Sequence, residues 1–289
     1  MRLALGTVQF GLDYGVANAA GMVSPAEASA ILADARAQGI DTLDTAAAYG
    51  ESESVLGALN LDGWQVVSKL PPEAQGDLSV ADWVTGSVNR SLARLRQPTL
   101  YGVLLHRPSQ LLGVDGDAIY RALQRLKSEG VISKIGVSVY APEELDRLCQ
   151  NFDFDLVQAP FSVFDRRLVT SGWMTRLAAS GIELHVRSAF LQGLLLMKAE
   201  ERPLKFLRWA KLWQDWHGWL AESDISATEA CIRYVLSHQE VGKVVVGVQS
   251  RSQLAEIVAV VSGGGLDVPS HLSSQAEELL NPACWPSLV

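Results

Sequence analysis

The chain has 289 residues, 48% of them hydrophobic, enough to bury a sizeable core. A formal net charge of −8 and a pI near 5.2 exclude nucleic acid and acidic membrane surfaces as natural partners, because neutralising phosphates needs clustered Lys and Arg. A small molecule fits better, and a few local donors can still hold an anionic dinucleotide. α/β barrels routinely run to about 250 residues as one domain, so residues 1–289 are read as a single domain. Cys149, Cys231 and Cys284 form no CxxC pair, and the start MRLALGTVQF meets Gly and Gln too soon for a secretory leader. Reduced thiols and a cytoplasmic location are expected. No stretch approaches the roughly 20 apolar residues of a membrane span. The five histidines show no metal-ligand spacing, so no metal is expected.

Short apolar runs alternate with amphipathic stretches along the chain. Leu3 to Leu5 precedes a candidate helix at 25–38, Ile40 to Leu43 one at 51–59, Gln65 to Ser68 one at 79–96, and Tyr101 to Leu105 one at 115–129. Lys134 to Val137 then precedes 141–149, Leu156 to Gln158 precedes 171–180, Glu183 to Val186 precedes 226–238, and Val244 to Val246 precedes 251–261. Several of these helices open on a Ser, Thr or Asp able to cap free N–H groups. Eight such units predict an α/β fold of the closed (β/α)8, or TIM barrel, type. The alternative, an open doubly wound sheet, lacks its G-x-G-x-x-G turn: the early glycines are Gly6, Gly11 and Gly15. One long connection, from about Leu191 to Ser226, carries Trp209, Trp213, Trp216 and Trp219 on one face of a helix within 205–221. That face is expected to pack on the barrel, with a substrate-side lid as the sharper alternative. Pro, Ser and Gly near 262–274 mark a loop, and the C-terminal tail is expected to be loosely held.

The densest chemical signal is DTLDTAAAYGESE at 41–53, where an apolar strand ends in Asp44 and small residues lead to Tyr49. The third strand ends in Lys69 and the fourth in His106. In a parallel barrel all strand C-termini open on one face, so these four groups are expected to converge. A tyrosine has a pKa near 10, and a neighbouring ammonium lowers it, a role Lys69 can take. Asp44 would balance Lys69, His106 would donate to a carbonyl oxygen, and Tyr49 would protonate it. With no metal set or reactive cysteine in view, a reduced nicotinamide fits as hydride donor. Each residue alone also has a structural reading: a helix cap, a packing phenol, a surface lysine, a satisfied histidine.

The motifs LGTVQFG (5–11), GIDTLDTAAAYGESE (39–53), VVSKL (66–70), LLHRP (104–108), IGVSVY (135–140), VQAPFSVFDRR (157–167), RSAFLQGLLL (187–196) and VGVQSRSQLAEI (246–257) resemble the aldo-keto reductase superfamily in order and spacing. The resemblance implies a catalytic tetrad of Asp44, Tyr49, Lys69 and His106, coenzyme binding before substrate, and direct hydride transfer. It implies coenzyme contacts at Gly6, Thr7, Ser138 and Gln158, the last two to the nicotinamide carboxamide. Arg187 stands where many relatives place an aromatic ring against the nicotinamide, and its charge is expected to disfavour the oxidised ring. Gly247, Gln249, Arg251, Gln253 and Glu256 fall in the segment that holds the adenosine end, where Arg251 could pair a 2′-phosphate.

Gly247 and Val248 replace a basic contact of many relatives, so the expectation of NADP(H) over NAD(H) rests on superfamily usage. The chain starts almost directly on its first strand, leaving little room for the hairpin that plugs the barrel bottom in many relatives. Tyr14 in the loop after that strand, Arg107, Phe161 and the Trp-bearing segment are expected to line the substrate side, whose polarity favours a sugar-like or hydroxy-carbonyl compound. An NAD(P)H-dependent reductase of a small carbonyl compound is the leading expectation. A coenzyme-binding regulatory subunit or redox sensor with little turnover is the alternative, because fold alone does not separate them.

Overall fold

The computed structural model describes residues 1–72 and 79–288. Eight parallel strands close into a barrel in chain order: β1 (Leu3–Gly6), β2 (Thr42–Asp44), β3 (Gln65–Leu70), β4 (Leu100–Leu105), β5 (Ile132–Ser138), β6 (Leu156–Pro160), β7 (Glu183–Arg187) and β8 (Lys243–Gly247). Strands buried on both faces read as unbroken apolar runs, and that is how they appear in the sequence. Two boundaries differ from expectation in a way that matters. β2 begins later than its apolar run, at Thr42, while ending on Asp44 as expected, and β3 runs on to Leu70, which places Lys69 inside the strand rather than at its end.

The helices are α1 (Pro25–Ala37), α2 (Ser52–Gly57), α3 (Val80–Leu95), α4 (Gly116–Ser128), α5 (Glu144–Asn151), α6 (Arg167–Thr170), α7 (Trp173–Ala179), α8 (Ala210–Ser223), α9 (Ala227–Ser237), α10 (Arg251–Val260) and α11 (Glu277–Leu280). Ser24, Ser79, Ser226 and Ser250 cap α1, α3, α9 and α10 by accepting the N–H of Glu27, Asp82, Glu229 and Gln253. The helix expected at 171–180 is α7, which starts at Trp173 after Gly172, whose φ of 76° separates it from the short α6 that was not foreseen.

Alternation along the strands divides the core in two. Leu5, Leu43, Val66, Val103, Leu105, Val137, Val157, Val186 and Val246 point outward into the layer shared with the helices. Val67, Leu104 and Leu156, at alternate positions, form a separate cluster within the barrel, with Tyr101 packed on it. Space there is tight: a Cβ on Gly136 would lie 2.1 Å from the Leu156 carbonyl oxygen and 2.6 Å from a Leu104 methyl, so glycine is required.

At the strands' N-terminal end the network is ionic. Glu183 opens β7 and accepts from Tyr101 at 2.7 Å, from Lys134 of β5, and from His185 at 2.7 Å. Lys243 at the start of β8 pairs with Asp41.

The Trp-bearing segment packs, as the simpler expectation had it. Trp213 and Trp216 are buried against Phe164, with ring centroids 5.0 and 5.8 Å away, and their indole N–H groups donate to the carbonyls of Phe206 and Leu195. The C-terminal segment is anchored rather than loose. Trp285 is buried, meets Phe206 edge-on at 5.0 Å, and accepts from Lys205 at its carbonyl. Among the described residues no helix is long and apolar enough to cross a membrane.

Candidate active site

The C-terminal ends of the strands open onto a cavity of about 830 Å³, a size that holds a cofactor together with a small ligand. Asp44 closes β2, Lys69 is the penultimate residue of β3, and His106 follows β4 directly. Tyr49 comes from the turn between β2 and α2, and backbone contact fixes that turn. A Cβ on Gly11 would lie 2.0 Å from the Tyr49 carbonyl oxygen, and one on Gly50 would lie 2.3 Å from the Gly11 carbonyl oxygen. Gly50 also adopts a φ of 53°, the left-handed region that glycine occupies at least cost. Below the turn, Ser52 donates to the Thr7 carbonyl at 2.8 Å, and the fully buried Glu53 accepts from Ser68 of β3 at 2.6 Å and from Arg94 of α3 at 2.7 Å. The buried Glu53 carboxylate thus ties α2 to two neighbouring elements. Sequence reasoning passed over it, although it lies in the same motif as Tyr49.

Lys69 Nζ is buried, 2.7 Å from Asp44 Oδ1 and 3.0 Å from the Thr45 carbonyl oxygen, and 5.0 Å from the Tyr49 ring centroid. Tyr49 and His106 meet edge-on with centroids 5.8 Å apart. Burial pulls the Lys69 ammonium towards neutrality, but Asp44 and Tyr49 outweigh it and hold the group above the usual lysine range. For Tyr49 the expectation from sequence is corrected in sign. Burial raises the phenol more than the Lys69 charge lowers it, so its pKa is raised and it stays protonated. His106 is pushed down to about 4, by burial first and by Lys69 second, and is neutral across the physiological range.

Of the residues expected at the site, Asp44, Tyr49, His106, Gly6, Thr7, Ser138, Arg187, Gly247, Gln249, Gln253, Glu256 and Tyr14 line the cavity. Five do not. Lys69 lies behind Asp44 and Tyr49. Gln158 is fully buried, donating to Asp44 Oδ2 at 2.7 Å and accepting from Ser138 at 3.1 Å, so its amide holds the carboxylate instead of presenting a free face. Phe161 is fully buried against Tyr234 and His238, turned away from the cavity into the helical layer. Arg107 is off the wall as well. Arg251 reaches back to α1, with Nε 2.6 Å from Asp34 Oδ2, rather than into the cavity.

The polar loop after β1 is partly spent on itself. Asn18 bonds Asp13 at 2.9 Å and the backbone of Tyr14, Ala20 and Gly21, whereas the Tyr14 hydroxyl accepts from Gln192 across the cavity at 2.8 Å. Gln9, Phe190, Thr228, Pro282 and Ala283 also line the wall and were not foreseen. Gln9 lies within the first motif, but Pro282 and Ala283 carried no signal.

A nicotinamide dinucleotide fits what surrounds the cavity. Gly6 and Gly247 are register partners on adjacent strands and leave that wall free of side chains. A Cβ on Gly247 would lie 2.6 Å from the Gln9 amide, and Gln9 Oε1 is buried with no hydrogen-bond partner among the described residues. His106 Nδ1 is likewise buried and unpartnered. At the start of α10 the N–H groups of Gln249, Arg251 and Gln253 are taken by Gln253 Oε1, Glu27 Oε1 and Ser250 Oγ, so it is the side chains of Gln249 and Gln253 that face the cavity. Among the described residues no cluster of His, Cys, Asp or Glu could hold a metal.

Comparison with known proteins supplies what fold and cleft leave open: the chain belongs to the Aldo/keto reductase family, a family of oxidoreductases, whose profile matches residues 2–266. Members of that family use nicotinamide cofactors and reduce carbonyl compounds. The chain is 25% identical over 257 residues to the Bacillus subtilis protein described as uncharacterized oxidoreductase YqkF, an alignment covering 80% of each. It is 34% identical over 135 residues to human aflatoxin B1 aldehyde reductase member 2, covering 44% of this chain and 37% of that one. Among solved structures, an aldo-keto reductase from Pseudomonas aeruginosa superposes with a TM-score of 0.67 at 29% identity, over 91% of this chain and 90% of that one. One from Bacillus halodurans shares the fold with a TM-score of 0.73 at 21% identity, over 92% and 88%.

Proposed function

We propose that the chain reduces an aldehyde or ketone to the alcohol, with Tyr49 as proton donor and NADP(H), rather than NAD(H), as coenzyme. The observation that carries this reading is the Asp44–Lys69 pair lying against the ring of a protonated Tyr49, with neutral His106 edge-on to the same ring. The reduced nicotinamide, when bound, supplies the hydride to the carbonyl carbon. His106 orients the carbonyl oxygen, and Tyr49 gives that oxygen its proton. Lys69 then stabilises the phenolate that remains until solvent restores its proton, and Asp44, held by Gln158, keeps the lysine charged without adding net charge.

Gly6, Thr7, Gly247, Gln249, Gln253 and Glu256 are proposed to hold the coenzyme, with Ser138 near its carboxamide. Arg251 serves a 2′-phosphate by giving up Asp34, an exchange of one exposed ion pair for another.

Replacing Tyr49 by Phe removes the acidic proton and little volume. Turnover of a reactive aldehyde is expected to fall by about 10²–10⁴-fold, the usual worth of a positioned general acid, while fluorescence titration with NADPH and NADH is unchanged. Full activity in that variant would refute the assigned chemistry. Tight coenzyme binding by the unaltered protein, with no aldehyde or ketone turned over, would favour the sensor reading.

A further inference from the structure

Arg187 closes β7 on the cavity wall, and its surroundings differ from those of the other charges there. Lys69 is balanced by Asp44, and Glu256 accepts the Thr228 hydroxyl. Arg187 has no carboxylate partner among the described residues. It donates only to the Val139 carbonyl at 3.0 Å and to the Ser188 hydroxyl at 3.3 Å, and its guanidinium lies 4.7 Å from the centroid of the Tyr140 ring. A guanidinium has five N–H donors in a rigid fork, so a planar cation is held in place with donors to spare. Its charge acts on Tyr14, Tyr49 and His106, which puts it at the chemical end of the cavity.

Charge counting at that end is simple. Among the groups at this end, Lys69 and Asp44 cancel and Tyr49 and His106 are neutral, so the charge of Arg187 is balanced by none of them, in a chain whose net charge is −8. A half-buried cation without a counter-ion is costly, and a carboxylate is the group whose two oxygens match the fork.

We propose that Arg187, held on Tyr140 beside Tyr49 and His106, is an anion subsite for the substrate, so that the compounds reduced are oxo acids: aldehydes or ketones that carry a carboxylate. This rests on the reductase reading and narrows its substrate class. The coenzyme, whose nicotinamide end the family resemblance sets against Arg187, is the competing claim on the charge, and the test separates the two.

The decisive comparison is kcat/KM for ω-oxo carboxylates of two to six carbons, each against its methyl ester, with the unaltered protein, Arg187→Met and Arg187→Lys. The best acid is expected to exceed its ester by roughly 10–100-fold, the worth of hydrogen bonds to a charged group. That ratio should collapse towards one in Arg187→Met and recover in part in Arg187→Lys. Because a ratio is read, any effect of the substitution on coenzyme binding cancels. Calorimetry with unreactive alkanoates and their amides, and with NADPH, on the same proteins needs no turnover.

Alkanoate binding lost in Arg187→Met, with no compound reduced by the unaltered protein, would uphold the subsite and sink the reductase reading. Acids and esters reduced equally would overturn the subsite while the reductase reading stood. NADPH binding weakened by Arg187→Met with alkanoate binding unmoved would assign the charge to the coenzyme and also overturn it.

Discussion

Tyr49 and its neighbours show how far residue types go before burial decides. An aspartate, a tyrosine, a lysine and a histidine at the ends of adjacent strands were legible from spacing alone, and so was the Asp44–Lys69 pairing. The direction of the Tyr49 shift was not, because it is a contest between desolvation and a nearby ammonium, and only the enclosed geometry tells which is larger. The same enclosure makes His106 neutral, with its pKa pushed down to about 4. The pH dependence of kcat/KM is therefore expected to be flat from about pH 5.5 to 8, without the ionisation near 6.5 that an exposed histidine would contribute. A break in that range that disappears in His106→Gln would contradict the neutral-donor role. Gln158 is a second lesson at this scale: its position matched a coenzyme contact, yet both ends of its amide are engaged by Asp44 and Ser138.

At the scale of the element, the eight strands and most helices follow from apolar runs and serine caps, and the misplaced boundaries are those where a short strand extends past its apolar part into functional residues. The helix α8 is the clearest case of a pattern with two readings. Its tryptophans repeat at helical spacing whether they cover a core or a ligand, and the partner surface alone decides. Here Phe164 and the carbonyls of Phe206 and Leu195 take the indoles, and none reaches the cavity. Trp216→Ala is accordingly expected to destabilise the protein by about 3–5 kcal/mol, the usual cost of emptying a buried aromatic site. Denaturant unfolding measures that loss, and coenzyme titration of the folded variant should be unaltered. A variant with unaltered stability but weakened substrate binding would restore the lid reading.

For the whole molecule, closing the barrel gives its two ends opposite duties, chemistry at the strands' C-termini and stability at their N-termini. Glu183 is the centre of the second. Burial alone would raise its pKa, but the donors His185, Lys134 and Tyr101 reverse that and hold it at about 2, below the ordinary 4.5. A depressed carboxylate adds stability that is fully present above the unfolded pKa and is lost as pH falls through the folded one. Glu183→Gln should thus cost on the order of 2 kcal/mol at neutral pH, with the difference from the unaltered protein shrinking between about pH 4.5 and 2. Unfolding curves across that range check it, and a pH-independent difference would remove the carboxylate from the account. Fold class, family and the convergence of Asp44, Tyr49, Lys69 and His106 at one end of the barrel were readable along the chain, because periodicity and strand-end position are local properties of it. Barrel closure settled the rest: that Phe161, Arg107 and Arg251 lie off the cavity wall, that the Tyr49 phenol is held protonated, and that Arg187 has no counter-ion among the described residues. Each of those depends on which distant groups closure of the barrel brings into contact, and no spacing along the chain encodes that.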